Sequence, residues 1–267
     1  MDAQTTTVDL SVGGQPMATF VAWPRGDGAW PSVAVAFEAF GMTDYIKTAA
    51  TDLAEHGYVV VVPDLYHRLG RLKTASYNEY DVAAAHRLES APLASRTMMA
   101  TLRDDELVLD MGAAIDFIKQ RSDYLPDRIG VLGFWNGGRV AFLTACHRSD
   151  VRAAVSFYGH VIPDELTEYM PVSPLNLLSG LQAATLFLWG KDGQPMTRPT
   201  IKTLEDALRA AGKTFDSRLY GAPRGFHNPN APSYDEQAAA DAWARALAWL
   251  GQHLQETGTP RQPAITN

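Results

Sequence analysis

The segment that most constrains the fold of this chain is residues 133–138, which read Gly-Phe-Trp-Asn-Gly-Gly. The apolar run at 129–132 predicts a buried strand before it, and the run at 139–145 has the composition of a helix. A strand, a Gly-x-nucleophile-x-Gly pentapeptide and a helix together predict a sharp, strained turn that presents a nucleophile. Trp135 stands at the central position, and an indole ring cannot attack a carbonyl carbon. The sequence thus predicts the turn of a covalent catalyst without its nucleophile.

The composition limits the class of protein and its partners. The 267 residues fit one α/β domain, and the 46% hydrophobic content suffices for a large core. A net charge of −7 without a block of Lys or Arg argues against nucleic acid and anionic membranes as partners. No signal peptide is visible, and no apolar run approaches the ~20 residues of a membrane-spanning helix. Because Cys146 is the single cysteine, no intrachain disulfide is expected, and we predict a cytoplasmic protein.

Runs with the spacing of strands alternate along the chain with runs that have the spacing of helices. Strands are predicted at 8–12, 17–23, 32–37, 58–62, 129–132, 153–157, 184–189 and 215–220, and helices at 44–56, 103–119, 139–145, 200–211 and 234–254. Gly13 and Gly14 predict a hairpin between the first two strands. The alternation predicts a doubly wound, mainly parallel sheet in a single α/β domain at 8–254, with flexible termini at 1–7 and 255–267.

The candidate site lies at one edge of this predicted sheet. Glu38, Trp135 and Tyr158 each follow a strand, and ligands of doubly wound sheets bind outside the carboxyl ends of the strands. The few histidines are scattered and show no zinc-ligand spacing. Residues 133–138 lack the full dinucleotide-binding pattern Gly-x-Gly-x-x-Gly. We therefore predict a small-molecule site that uses neither a metal nor an organic cofactor.

Four segments give the chain a resemblance to the dienelactone hydrolase family of α/β-hydrolases over nearly its whole length. They are Phe37-Glu38-Ala39-Phe40-Gly41, Gly57-Tyr58 with Pro63-Asp64-Leu65-Tyr66, residues 133–138, and Phe157-Tyr158-Gly159. The resemblance implies the α/β-hydrolase fold and a Cys–His–Asp triad. It also implies a Glu near the thiol and an oxyanion hole of two backbone N–H groups, which fall on Ala39 and Asn136.

The same resemblance places the triad on residues of this chain. The Cys position is Trp135, the acid is Asp192, and the retained Glu is Glu38. The family's His directly precedes a Gly-Phe pair, and Arg224 stands at that place. Two of the three triad members are therefore replaced by bulky side chains that cannot perform the original step.

These residues leave alternatives open. Trp135 either fills a dead site or offers a ligand a stacking wall and an indole N–H, and in both cases we expect strained backbone angles. Arg224 is a surface residue, a partner of Asp192, or a binder of a ligand carboxylate or enolate. His227, three residues later, either anchors its loop or swings in as a substitute base. Glu38 is a general acid or base with a raised pKa, or a carboxylate satisfied by the backbone, and Asp192 is alternatively a plain turn residue.

Aromatic and basic side chains are predicted to surround the crevice. Phe40, Tyr66, Phe134 and Tyr158 are assigned to substrate binding together with Trp135. A lid is predicted from two loops, with Tyr66, His67, Arg68, Tyr77, Tyr80 and Arg87 in one, and Tyr158, His160 and Tyr169 in the other. Such a lid suits an apolar, partly conjugated or anionic ligand.

The leading hypothesis for function is a diverged, non-hydrolytic protein that transforms a small organic substrate without a covalent intermediate. An isomerisation, cyclisation or elimination needs a shaped pocket, a poised acid or base, and donors for a developing oxyanion. Glu38, Asp192, Arg224 and the two backbone amides are the candidates for these roles. One alternative is a ligand-binding pseudoenzyme, and another is a slow ester or lactone hydrolase in which Glu38 or His227 activates water. A homodimer is compatible with all three.

Overall fold

The computed structural model describes residues 1–70, 72, 74, 102–163, 165–191 and 196–255. Its strands are β1 (Ala3–Val12), β2 (Gln15–Pro24), β3 (Trp30–Ala36), β4 (Val59–Pro63), β5 (Tyr124–Phe134), β6 (Val151–Phe157), β7 (Ala184–Lys191) and β8 (Phe215–Pro223). Its helices are α1 (Asp44–Glu55), α2 (Asp104–Lys119), α3 (Asn136–His147), α4 (Arg198–Ala210) and α5 (Glu236–Leu254), with a 3-10 helix at Pro174–Gly180.

The eight strands form one sheet in the order β1-β2-β4-β3-β5-β6-β7-β8. β2 pairs antiparallel with β1 and β4, and the remaining pairs are parallel. Side-chain hydrogen bonds join four of the helices in two pairs. Trp243 Nε1 donates to Asp52 between α5 and α1, and Arg139 donates to Asp104 between α3 and α2. This is the doubly wound, mainly parallel fold that the sequence predicts. None of the helices within the described ranges is long and apolar enough to cross a membrane.

The N-terminal hairpin confirms one prediction and corrects another. Gly13 and Gly14 have φ angles of 57° and 79° at the turn, where two left-handed residues suit a tight hairpin. β1, however, begins at Ala3 and pairs with β2 from that residue onward. Residues 3–7 therefore belong to the sheet and not to a flexible terminus. Their threonines are β-branched and favour a strand, but without apolar residues between them they give no alternating pattern.

Two boundaries next to the predicted site also differ from the prediction. β5 starts at Tyr124, five residues before the predicted start at residue 129. The prediction was too short because it relied on an apolar run, and the polar residues Asp127 and Arg128 interrupt that run. α3 starts at Asn136 and not at residue 139, so the helix follows Trp135 directly. The backbone N–H of Asn136 is consequently part of a helix N-terminus, where backbone donors and the helix dipole favour negative charge.

Candidate active site

The turn between β5 and α3 is strained at Trp135. This residue has φ 51° and ψ −116°, and its N–H donates to the Phe157 carbonyl at 2.9 Å. A bulky residue with positive φ is an outlier, and such a conformation costs about 1–3 kcal/mol. The expectation that Trp135 keeps the backbone angles of a nucleophile-bearing turn is therefore confirmed.

Close packing of glycines fixes this turn. A Cβ atom on Gly133 would overlap the carbonyl group of Gly137, and one on Gly137 would overlap the carbonyl oxygen of Ala36 in β3. A Cβ on Gly138 would approach the Ser156 Oγ atom to 2.8 Å. β5, α3 and β3 thus meet at backbone contact distance, which only residues without a side chain allow.

The indole of Trp135 contacts a cation and an aromatic ring. The Arg224 guanidinium carbon lies 4.6 Å from the centroid of the indole, within the range of a cation–π interaction. The Phe40 ring meets the indole edge-on at 6.1 Å, with an interplanar angle of 66°. Trp135 itself is half-buried. The space that a nucleophilic side chain would face is therefore shaped by these three side chains.

Arg224 is placed by the end of β7. A Cβ atom on Gly190 would lie 2.7 Å from the backbone nitrogen of Arg224 and 2.8 Å from its Cα atom, so the two backbones touch. Burial lowers the pKa of Arg224 to about 10, and the guanidinium stays charged at neutral pH. Asp192 lies outside the described residues, so its predicted pairing with Arg224 and its catalytic role remain predictions.

Glu38 lies just after β3 and is almost completely buried, with 1% of its surface exposed. Its Oε1 atom accepts a hydrogen bond of 2.6 Å from the Nδ2 group of Asn228, which is fully buried. The carboxylate thus accepts from a side-chain donor, whereas the sequence suggested backbone donors. Asn228 was not predicted, because an asparagine in a loop next to a histidine carries no distinctive pattern.

His227 points toward α1 and α5. Its Nδ1 atom is joined to the Tyr45 hydroxyl by a hydrogen bond of 2.7 Å, and its ring lies 5.0 Å from Phe157 and 5.2 Å from Trp243. The Phe134 ring is 5.4 Å away, and Phe134 has no exposed surface. Burial lowers the pKa of His227 from 6.5 to about 4, so the imidazole is neutral at neutral pH. These contacts fit a loop anchor better than a substitute base.

Tyr158 is a second strained aromatic residue at the end of the neighbouring strand. It has φ 41°, it is 2% exposed, and its N–H donates to the Leu188 carbonyl at 2.7 Å. Its ring packs edge-on against Phe157 and Phe226. Burial and, to a smaller extent, the charge of Glu38 raise the pKa of Tyr158 well above its usual value, which keeps the phenol protonated.

The loop that carries the predicted oxyanion donor Ala39 is held by a hydrogen bond from Tyr66. Tyr66 donates a hydrogen bond of 2.8 Å from its hydroxyl to the Ala39 carbonyl, and its ring lies 5.0 Å from Phe37. Because Tyr66 is completely buried, it supports Ala39, and this role replaces the substrate contact that the sequence predicted. The second predicted donor, Asn136, is half-buried at the first position of α3.

Comparison with known proteins identifies the family to which this chain belongs. A model of the dienelactone hydrolase family matches residues 17–254. The chain belongs to the dienelactone hydrolase family. A protein of Methylorubrum extorquens named "Putative carboxymethylenebutenolidase" is 32% identical over 87% of this chain and 75% of its own length. A Bradyrhizobium protein named "Probable 2-oxo-3-(5-oxofuran-2-ylidene)propanoate lactonase" is 29% identical over 92% of this chain and 94% of its own.

Solved structures of the family support the same fold. A Klebsiella pneumoniae structure named "Putative Dienelactone Hydrolase" superimposes with a TM-score of 0.82 at 29% identity, over 94% of this chain and 99% of its own. The dienelactone hydrolase-like promiscuous phosphotriesterase P91 has a TM-score of 0.74 at 19% identity, over 95% and 99% of the two chains. At that identity the second likeness bears on fold alone.

Two basic residues of the predicted lid contact α2 of this dienelactone hydrolase family member. Arg68 forms a bidentate pair with Asp110, with distances of 2.5 and 2.8 Å, and His67 Nε2 lies 3.3 Å from the same carboxylate. Asp110 is fully buried. His67 and Arg68 therefore connect the end of β4 to α2, and their predicted place over the crevice is corrected. Tyr77, Tyr80 and Arg87 lie outside the described residues.

The site contains both hydrogen-bond donors with positive charge and a carboxylate that can accept a proton. The charged guanidinium of Arg224 lies over the indole of Trp135, a helix begins at the next residue, and the carboxylate of Glu38 is buried after β3. Within the part of the chain that the structure describes, no three His, Cys, Asp or Glu side chains come together to hold a metal ion. The groups present can donate hydrogen bonds to an anion and move a proton, but Trp135 itself cannot form a covalent intermediate.

Proposed function

We propose that this family member binds a small organic molecule outside the carboxyl ends of β3, β5 and β6 and transforms it without a covalent intermediate. The reaction class is an isomerisation, cyclisation or elimination that begins with movement of a proton. The observation that carries the proposal is Trp135, which retains φ 51° and ψ −116° of a nucleophile-bearing turn while its side chain has no nucleophilic atom.

Glu38 is the proposed acid or base. It is almost completely buried, and its short hydrogen bond from Asn228 orients one oxygen. Glu38 takes a proton from a carbon beside a carbonyl group, and the C–H electron pair moves to the carbonyl oxygen as an enolate. When the carbonyl re-forms, the pair moves through a conjugated C=C bond to a more distant carbon, which takes the proton back from Glu38. No oxidant or cofactor is needed for this exchange.

Arg224 and two backbone amides are the proposed stabilisers of the resulting oxyanion. The guanidinium remains charged, and its stacking on Trp135 holds it over the turn. The N–H of Asn136 at the N-terminus of α3 and the N–H of Ala39 would supply preorganised donors, which contribute most in a site that excludes water. His227 serves as an anchor of the loop in this proposal, and Asp192 keeps a predicted role beside Arg224.

Hydrolysis is the second candidate function, because the similar proteins carry the names of a carboxymethylenebutenolidase and a lactonase. In this chain a water molecule activated by Glu38 would have to replace the missing nucleophile. A ligand-binding pseudoenzyme is the third candidate. The almost complete burial of Glu38 favours a pseudoenzyme over hydrolysis, because water has little access to a carboxylate with 1% of its surface exposed.

An esterase assay with 4-nitrophenyl acetate separates the first two candidates. We expect the wild type and the Trp135→Ala/Arg224→His variant to hydrolyse the ester no faster than buffer, and the Trp135→Cys/Arg224→His variant to turn it over. The alanine variant is the matched control, since it opens the same space without a thiol. Fast hydrolysis by the wild type that is abolished by Glu38→Gln would establish the water-based mechanism and refute our proposal.

Proton transfer itself separates the first candidate from the pseudoenzyme. A panel of enolisable 2-oxo acids is incubated with the protein in D2O, and deuterium incorporation is followed by mass spectrometry. The proposal expects incorporation above the buffer rate for at least one compound, and loss of this excess in Glu38→Gln. Binding without any excess incorporation across the panel favours the pseudoenzyme.

A further inference from the structure

Two consecutive residues in the loop after β8 are held from different sides. His227 is joined through Nδ1 to the hydroxyl of Tyr45 in the first turn of α1, at 2.7 Å. Asn228 donates from Nδ2 to Oε1 of Glu38 after β3, at 2.6 Å. A single dipeptide therefore connects a helix to the carboxylate of the candidate site.

The loop around this dipeptide is tightly bonded. The N–H of Asn228 donates to the Gly225 carbonyl at 3.3 Å, and the N–H of Asn230 donates to Oδ1 of Asn228 at 2.9 Å. Gly225 has φ 86°, and a Cβ atom there would approach the Ser233 Oγ to 2.8 Å. Because these hydrogen bonds restrict rotation of the backbone in the loop, we expect a displacement of His227 to be passed on to the adjoining Asn228.

The position of His227 depends on the hydroxyl of Tyr45. The imidazole is packed among the rings of Phe134, Phe157 and Trp243. The two phenyl rings have no hydrogen-bonding group, and the indole N–H of Trp243 donates to Asp52. A buried polar nitrogen that loses its partner bears the cost of desolvation and tends to move toward water. The hydrogen bond to the Tyr45 hydroxyl therefore helps to hold the ring in this aromatic enclosure.

We propose that Tyr45 is a positioning residue for Glu38, which it orients through His227 and Asn228. The hydroxyl fixes the imidazole, the imidazole fixes the adjoining peptide, and the Asn228 amide then holds the carboxylate in one direction. The inference rests on the proposed function for the proton-moving role of Glu38. The coupling itself is a property of the protein without any ligand, so it is tested without a substrate.

The test measures the Asn228 side-chain amide by NMR in the full-length protein. In Tyr45→Phe, we expect solvent exchange of the Asn228 Nδ2 protons to become about fivefold faster, the factor that corresponds to the loss of one net hydrogen bond. The ¹³C signal of the Glu38 carboxyl group should shift in the same variant. Tyr124→Phe is the control, because it removes a tyrosine hydroxyl at the start of β5, where Tyr124 contacts the Asp127 N–H.

A pair of variants at residue 227 separates positioning from packing. His227→Gln and His227→Leu both remove the imidazole ring, but only glutamine retains a group that can bond to Tyr45. We expect Asn228 exchange near the wild-type rate in His227→Gln and about fivefold faster exchange in His227→Leu. Asn228 exchange in Tyr45→Phe/His227→Leu should equal that in His227→Leu alone, because the proposed coupling to Asn228 runs through the Tyr45–His227 bond.

Two results would overturn the proposal. One is equal Asn228 exchange in Tyr45→Phe and Tyr124→Phe, and the other is equal exchange in the two His227 variants. If Tyr45→Phe does not fold in a urea titration, the His227 pair decides alone. Neither result bears on the non-covalent mechanism, since that mechanism is tested by deuterium incorporation and by the esterase assay.

Discussion

At Trp135, an indole is held in a backbone conformation that side chains of its size rarely adopt. Two neighbouring side chains pack against the indole. Arg224 lies over the face of the ring, and Phe40 makes an edge-on contact with it. Glu38 and His227 are each oriented by one side-chain hydrogen bond, to Asn228 and Tyr45 respectively. At the scale of residues, the site is thus a set of buried polar groups, each with a partner brought from another element.

The buried imidazole of His227 makes the stability of the fold depend on pH. Burial lowers the pKa of His227 from 6.5 to about 4, so between these values the unfolded chain binds a proton that the folded chain does not. The free energy of unfolding therefore falls as the pH decreases from 6.5 toward 4, by about 3 kcal/mol for this group. Urea denaturation at both ends of the interval measures the loss, which should be smaller by this amount in His227→Leu.

The exposed His56→Gln variant is the control for this prediction and should lose as much stability as the wild type over the same interval. If His227→Leu loses as much stability as the wild type, another group is responsible for the acid sensitivity. His253, whose pKa is also lowered by burial, is the next histidine to test.

At the scale of elements, the turn between β5 and α3 is shaped by the close approach of three backbones. β5 and α3 pack against each other at Gly133 and Gly137, and α3 packs against the end of β3 at Gly137. The turn therefore does not depend on which side chain stands at residue 135. The strain at Trp135 is retained because relaxation of the turn would separate elements that share a buried core.

This packing predicts a severe effect for Gly137→Ala. The added methyl group would overlap the Ala36 and Phe37 carbonyl oxygens, which belong to backbone that cannot easily move. We expect the free energy of unfolding to fall by about 3 kcal/mol or more, as for an overpacked core position. Gly221→Ala is the matched control and should leave the urea midpoint unchanged, because its Cβ meets nothing within 4 Å. Equal midpoints for the two variants would contradict the proposed packing.

At the scale of the whole molecule, one continuous sheet carries every described part of the site at the same edge. Glu38 follows β3, Trp135 follows β5 and Tyr158 follows β6, and these strands are neighbours in the sheet. Arg224 follows β8 and reaches the turn across the end of β7, where Gly190 leaves room for its backbone. The order of the strands thus gathers residues that are far apart along the chain.

The sheet extends to the N-terminus, and a deletion tests this. Removal of residues 1–7 takes away half of β1 and the backbone hydrogen bonds that join it to β2, so we expect a lower urea midpoint. Removal of residues 1 and 2, which precede β1, serves as the control and should have a much smaller effect. A midpoint that is the same for both deletions would favour the flexible terminus that the sequence pattern suggests.

Local patterns in the sequence predict the doubly wound sheet and the turn at Trp135, because strands buried on both faces and paired glycines are visible within a few residues. The polar residues of β1 and the Asp127–Arg128 pair in β5 give no such pattern, so those strands are longer than predicted. The partners Tyr45 and Asn228 could not be predicted either. Their hydrogen bonds join residues 182 and 190 positions apart, and only the folded chain brings them together.

The position of α3 directly after Trp135 has a consequence for how new activities arise on this scaffold. The partial positive charge at the start of a helix belongs to the backbone and does not change when the residue before it is exchanged. The attraction of this helix terminus for anions is therefore the same whichever side chain stands at residue 135. A family member without a nucleophile at this position can therefore still attract an anionic ligand to the same place, and a different reaction can evolve there.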